Sequence, residues 1–234
     1  MSHLGKMSLT LIIGNKNYSS WSLRPWIALK VKGIPFDERV IPLYEPGSRE
    51  QVLKHAPTGK VPVLIDGDET IWESLAILEH LAERFPDAHL WPDDPRARSH
   101  ARVMASEMHA GFMPLRKNCP MNMWLPAKHR PQGDDVMADV ARIDALWSDC
   151  RARFGQGGPF LFGDFTAADA MYAPVVARLH SFGLPVGAAS RAYMEATMAL
   201  PAWHEWCDAA LKETWVMQHN EPDWPLVRGA RLSS

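Results

Sequence analysis

Leu9-Thr10-Leu11-Ile12-Ile13 runs directly into Gly14-Asn15-Lys16-Asn17-Tyr18-Ser19-Ser20-Trp21-Ser22-Leu23-Arg24-Pro25-Trp26, and the reading of this junction decides the fold. The first five residues are mostly apolar and rich in β-branched side chains, which marks a short strand, and Gly14 to Ser20 is polar and turn-forming. Ser22 can cap the next segment and Pro25 suits a first helical turn. Trp26, Ile27, Leu29 and Val31 then recur at helical spacing until Gly33 stops them. The expectation is a strand whose carboxyl end passes through a polar loop into a helix.

Working outward, Arg39 to Leu43 reads as a second strand and Ser48 to Lys54 as a short helix before the Pro57-Thr58-Gly59 turn. Val61 to Ile65 carries Pro62 near its start, Asp66-Gly67-Asp68 turns the chain, and Thr70 to Trp72 returns it. Ser74 then caps a helix whose stripe is Leu75, Ile77, Leu78, Leu81 and Phe85, ended by Pro86. The order βαβαββα follows. Pro86 to Pro95, with Leu90 and Trp91 as an apolar plug, reads as a linker. Beyond it the pattern is helical over Arg96 to Lys117, Asp134 to Phe154, Ala167 to Phe182 and Ala202 to Thr214. The expected architecture is an α/β amino-terminal domain over residues 7–86 and an all-helical bundle over 95–219. Met1 to Lys6 reads as an extension ahead of a strand beginning near Met7, and the stretch after Trp215 has no usable periodicity.

Composition narrows the function. The 234 residues are 47% hydrophobic and 22% charged, as in an ordinary globular protein, and the net charge of -2 gives no global positive field to hold nucleic acid or an anionic membrane. No apolar run reaches membrane-spanning length, so a cytoplasmic protein with no membrane partner is expected. Cys119, Cys150 and Cys207 are far apart and form no C-x-x-C pair, which reads as reduced packing residues. His204-Glu205-Trp206-Cys207 has no second ligand pair and no H-E-x-x-H occurs, so no metal is expected. Gly155-Gln156-Gly157-Gly158 lacks the Lys-Ser/Thr of a phosphate loop and reads as a helix stop.

Three places carry chemistry. Asn17 to Ser22 lies where a strand's carboxyl end meets a helix amino terminus, and the free N–H groups and helix dipole there favour an anion such as a thiolate, carboxylate or phosphate. A serine hydroxyl there can donate to a thiolate and increase its ionised, nucleophilic fraction; serines also cap helices without further function. At Lys60-Val61-Pro62, a proline opening a strand is a place for a cis peptide, and the Val61 backbone is either an ordinary strand edge or a partner for an extended peptide. At Glu73-Ser74, helix N–H groups and the Ser74 hydroxyl can take a carboxylate and Glu73 an ammonium, although capping alone also explains Ser74.

Taken as a set, Ser19-Ser20-Trp21-Ser22-Leu23-Arg24, Thr58-Gly59-Lys60-Val61-Pro62-Val63-Leu64 and Glu73-Ser74-Leu75-Ala76-Ile77 resemble the glutathione-binding half of cytosolic glutathione transferases. Phe160-Leu161-Phe162-Gly163-Asp164-Phe165-Thr166-Ala167-Ala168-Asp169-Ala170 is similar to that family's helical-domain segment, where Thr166 and Asp169 form a capping box of structural purpose. The resemblance implies a thioredoxin-like domain joined to a helical domain, usually in a homodimer, with glutathione as co-substrate. Ser19 matches the catalytic serine of the zeta-like class, and Ser20 and Trp21 are its neighbours. Val61, followed by Pro62, matches the residue whose backbone pairs with the cysteinyl part of glutathione. Glu73 and Ser74 match the pair that holds the γ-glutamyl end, and Lys60 a residue near the glycyl carboxylate.

Two departures stand out: the zeta pattern has Cys where Trp21 stands and usually Gln where Glu73 stands. The reading is therefore conjugation of the glutathione thiolate to a small apolar electrophile. A maleylacetoacetate isomerase-like reaction and a non-catalytic ligand-binding or assembly module are the alternatives. Met104 and Met108 share a helix face with Phe112 near it, and are the expected electrophile-binding residues, with bundle core as the competing reading. Asn118-Cys119-Pro120-Met121-Asn122 reads either as a pocket wall or as a plain loop.

Overall fold

The computed structural model describes residues 9–221, so the expected extension at Met1 to Lys6 and the strand start near Met7 lie outside the described residues. Strand β1 (Leu9–Ile13) pairs parallel with β2 (Phe36–Val40) and antiparallel with β3 (Val63–Asp66), which pairs antiparallel with β4 (Glu69–Trp72). The sheet order is β2-β1-β3-β4. β1 is covered on both faces, and alternation divides its side chains between them. Leu11 and Ile13 enter the large core with Trp26, Ile27 and Leu78, whereas Ile12 faces a smaller cluster of Ile41, Val52, Ala56 and Val63. The first face is covered by α1 (Ser20–Val31) and α3 (Ser74–Arg84). Val52 on the second belongs to α2 (Ser48–Leu53).

The second half comprises α4 (Pro95–Ala110), α5 (Met113–Asn118), α6 (Asp134–Phe154), α7 (Ala167–Phe182), α8 (Ala188–Met198) and α9 (Pro201–Lys212). Helix α7 is buried almost all round and packs against α1, α4 and α8, so one apolar core joins both halves. Its amino terminus is fixed by Asp169, whose carboxylate accepts the Thr166 N–H at 2.7 Å, the Thr166 hydroxyl at 2.9 Å and the Leu161 N–H at 3.0 Å.

The differences from the sequence reading are local. β2 lies three residues earlier than expected, because Phe36 to Val40 supplies the parallel register with β1 on a charged, largely exposed edge. The segment read as one helix over Arg96 to Lys117 breaks at Gly111-Phe112, where Phe112 adopts φ 59° and starts α5 in a new direction. Helix α8 was not expected: its buried stripe is Ser190, Tyr193, Met194 and Thr197, helical in spacing but half polar. Ser19, not Ser22, precedes α1, and Glu73, not Ser74, precedes α3. Among the described residues, no helix is long and apolar enough to cross a membrane.

Candidate active site

The turn between β1 and α1 is held from several directions. Ser22 lies in the first turn of α1 and its Oγ accepts the Gly14 N–H at 3.1 Å and the Ser19 hydroxyl at 2.8 Å, tying the helix start to the end of the strand. Gly14 lets neighbouring side chains close on this turn: a Cβ there would come within 2.7 Å of the Leu43 side chain and 3.2 Å of that of Val61. The Ser19 N–H donates to the Asn15 carbonyl, and the Asn17 side chain accepts the Trp124 N–H at 3.0 Å. Ser19 is therefore mostly buried, presented at the positive end of a 12-residue helix.

Two adjoining cavities open on this turn. A smaller one, of about 290 Å³, is lined by Lys60, Val61, Pro62, Glu73 and Ser74 together with Trp21, Thr58, Trp72, His109 and Arg116. A larger one, of about 800 Å³, takes in Ser19 and Ser20, and its apolar wall comes from Tyr18, Leu43, Tyr44, Met121 and Met217. Trp21, Lys60, Val61 and Arg116 belong to both, so they are the shared wall. The structure thus brings together Ser19, Ser20, Trp21, Lys60, Val61, Pro62, Glu73 and Ser74.

Val61 sits just before β3, beyond the last paired residue Val63, and the Val61–Pro62 peptide is cis. Glu73 has φ 68° and ψ 122°, a sparsely populated conformation for a residue with a side chain, held where β4 turns into α3. Ser74 is buried, with its hydroxyl 3.9 Å from the Met171 sulfur. Glu73 lies 4.0 Å from His109 Nε2.

Met104, Met108 and Phe112 are not part of these walls. All three are buried in the core that α4 forms against α7, with Met104 wholly inaccessible, so the face they share is packing surface. The segment Asn118 to Asn122 does contribute, through Pro120 and Met121. Sequence reasoning missed His109, Arg116 and Arg178. Arg178 had a signal: it is the one Arg or Lys in a helix whose side chains are mostly apolar and buried all round. Arg116 had none, since Arg116-Lys117 reads as an ordinary helix end.

The buried thiols of Cys119 and Cys150 are poor nucleophiles. Burial pushes the Cys119 thiol up to about 12 despite nearby Arg178, and pushes Cys150 up as well. Among the described residues no group of three or more His, Cys, Asp or Glu side chains is placed to hold a metal ion.

The sequence matches the glutathione S-transferase N-terminal domain over residues 18–84 and the glutathione S-transferase C-terminal domain over residues 123–209. The chain belongs to the glutathione S-transferase family. Among its relatives, maleylacetoacetate isomerase of Rattus norvegicus is 40% identical, over 70% of this chain and 76% of its own. Glutathione S-transferase 1 of Dianthus caryophyllus is 35% identical, over 71% and 76%. A glutathione transferase homologue from Burkholderia, solved with bound glutathione, superposes with a TM-score of 0.66 at 25% identity, covering 87% of this chain and 97% of its own. The fold is that of the glutathione S-transferase family: a thioredoxin-like domain with a four-stranded mixed sheet, followed by a helical domain.

Proposed function

We propose that this member of the family is a glutathione transferase that binds glutathione in the smaller cavity and conjugates its thiolate to a small electrophile in the larger one. The observation that carries the reading is the convergence of Ser19, Lys60, Val61 and the Glu73-Ser74 pair on two cavities with a common wall. In this arrangement the γ-glutamyl end sits at Glu73 and Ser74, where the amino terminus of α3 favours its carboxylate and Glu73 accepts its ammonium. The Val61 backbone pairs with the cysteinyl part, and Lys60 faces the glycyl carboxylate. The thiol then lies at Ser19. Rotation of the Ser19 hydroxyl from Ser22 to the sulfur stabilises the thiolate, lowering its pKa from the free value of about 8.5. The thiolate attacks the electrophilic carbon, forming the S–C bond as a leaving group departs or a double bond takes up the electron pair.

The named relatives support glutathione S-transferase activity, and the Burkholderia homologue supports glutathione as the ligand. A second reading, glutathione-dependent isomerisation, draws on the 40% identity to the rat isomerase; there glutathione is returned and not consumed. A homodimer in the cytoplasm completes the proposal, in keeping with the family's habit and with cysteines that form no disulfide among the described residues.

Calorimetric titration with glutathione, with ultraviolet thiolate absorbance followed across pH, tests the reading. Binding accompanied by thiol ionisation at lower pH than in free glutathione supports it. Absence of binding overturns it, and binding with an unshifted thiol removes Ser19 from the mechanism.

A further inference from the structure

The shared wall of the two cavities is cationic at depth. The Arg116 guanidinium lies 4.7 Å from the centre of the Trp21 ring, and the Arg24 guanidinium lies 3.9 Å from the same centre. Arg178, on α7, lines the larger cavity and donates to the backbone carbonyls of Arg116, at 3.1 Å, and of Cys119. Arg24 is wholly enclosed, donates Nε to the Met171 carbonyl at 3.1 Å, and leaves Nη1 with no partner. Among the described residues none of the three arginines forms an ion pair.

Arg24 and Arg178 are buried and Arg116 is half-buried beside them, and guanidinium groups so gathered with no paired carboxylate are costly. The strain shows in their acidity: burial first, then the neighbouring arginines, hold Arg24 well below the usual guanidinium range, and burial and Arg116 bring Arg178 down to about 10. Backbone carbonyls satisfy some of the N–H groups but neutralise no charge. The carboxylates that do line the larger cavity, Glu45 and Glu50, are exposed at its rim beside Arg49, where solvent screens them. The arrangement is thus a cationic floor under an apolar wall of Leu43, Met121 and Met217.

We infer that the larger cavity takes an anionic second substrate: a small, partly apolar electrophile bearing a carboxylate, held by Arg116 and Arg178. The inference rests on the glutathione reading and deepens it. It replaces the expectation of a purely apolar electrophile. Arg116 and Arg178 supply planar, multidentate donors of the kind that match a carboxylate. Arg24, behind Trp21, adds to the field without reaching the ligand. The carboxylate fixes which carbon faces the thiolate, so these residues set specificity.

The test is calorimetric titration of the protein saturated with S-methylglutathione, an unreactive ligand that occupies the glutathione positions, using 3-nitrobenzoate and, separately, methyl 3-nitrobenzoate at low ionic strength. The acid is expected to bind at least tenfold more tightly than the ester, and Arg116→Gln to abolish that preference, read at an S-methylglutathione concentration shown to saturate the variant. Arg116→Lys, which keeps the charge and loses the fork, is expected to recover part of it. An ester that binds as tightly as the acid overturns the inference, as does failure of both to bind. So does a preference for the acid that survives Arg116→Gln and, in protein shown to be folded, Arg178→Gln. If S-methylglutathione itself does not bind, the glutathione reading fails on its own. The same pair of titrations on the unliganded protein then decides the anion site: a preference for the acid lost in Arg116→Gln sustains it, and no preference overturns it.

Discussion

The Glu213 carboxylate, one residue beyond α9, accepts the backbone N–H of Asn17 at 2.9 Å and that of Lys16 at 2.6 Å, so the carboxyl end of the helical domain grips the turn that presents Ser19. Burial pushes the Glu213 carboxyl up, and the two N–H groups and Lys16 pull against that rise. A second grip reinforces the first: the Tyr18 hydroxyl donates to Glu221, to which Asn122 also donates. Glu213 touches no reacting atom and acts by positioning. Glu213→Ala leaves two inward-facing N–H groups without an acceptor, at a cost of about 2 kcal/mol in stability. The expected kinetic signature is a fall in kcat of roughly tenfold with glutathione affinity nearly kept, as for a displaced catalytic group. Glu213→Gln, which keeps one acceptor, should recover part of it. Unchanged kcat in the alanine variant would show that Ser19 is held without this contact.

Ser19→Ala removes the only hydroxyl proposed to meet the thiolate. A hydrogen bond to a charged group contributes about 1.5–3 kcal/mol, so the bound thiol is expected to ionise at higher pH and kcat to fall roughly 10- to 100-fold. Glutathione affinity should change little, because Lys60, Val61 and the Glu73-Ser74 pair remain. Ser22→Ala is the control for mere structural disturbance. Ser22 accepts from both Gly14 and Ser19, so its loss should lower stability without raising the thiol's ionisation pH as far. Equal pH profiles for Ser19→Ala and the parent enzyme would refute the role.

The candidate site was legible wherever its residues are close in sequence. Ser19, Lys60-Val61-Pro62 and Glu73-Ser74 each sit at a strand–helix or turn–strand junction, and such junctions announce themselves through turn residues and a change of hydrophobic period. What stayed hidden depends on distant pairings. Arg116 reaches Trp21 only because Phe112 bends the chain between α4 and α5, and a left-handed phenylalanine has no sequence signature. Glu213 meets Asn17 across nearly the whole chain length. Met104 and Met108 show the opposite error: their spacing gave the correct shared face, but periodicity says only that a face is buried and not whether a ligand or a helix buries it.

Met104 therefore yields a prediction about stability. It is wholly buried between α4 and the central helix, so Met104→Ala leaves a cavity and should lower unfolding free energy by roughly 2–5 kcal/mol. The KM for the second substrate should stay within about twofold in the folded fraction, since Met104 lines neither cavity. Urea unfolding and steady-state kinetics on one preparation read both quantities. A large KM change with unaltered stability would return Met104 to the substrate site.

Asp169 gives a dependence on pH whose sign is opposite to that of an ordinary paired carboxylate. It is wholly enclosed, and burial pushes it up to about 6 from 3.8, against the pull of the Leu161 and Thr166 N–H groups and the Thr166 hydroxyl. Between those two values the folded protein holds a proton that the unfolded chain has released, so the folded state gains as pH falls through about 6, with the full gain reached below about 4. The gain is on the order of 3 kcal/mol. Asp169→Asn cannot titrate, which isolates this contribution from every other group. Loss of the capping box makes the variant less stable at any pH, and the deficit relative to the parent should be larger at pH 4 than at pH 7. Urea unfolding of both proteins at the two pH values measures it. A deficit that shrinks on acidification would mean that Asp169 is held in the fold as an anion, with its N–H donors outweighing burial.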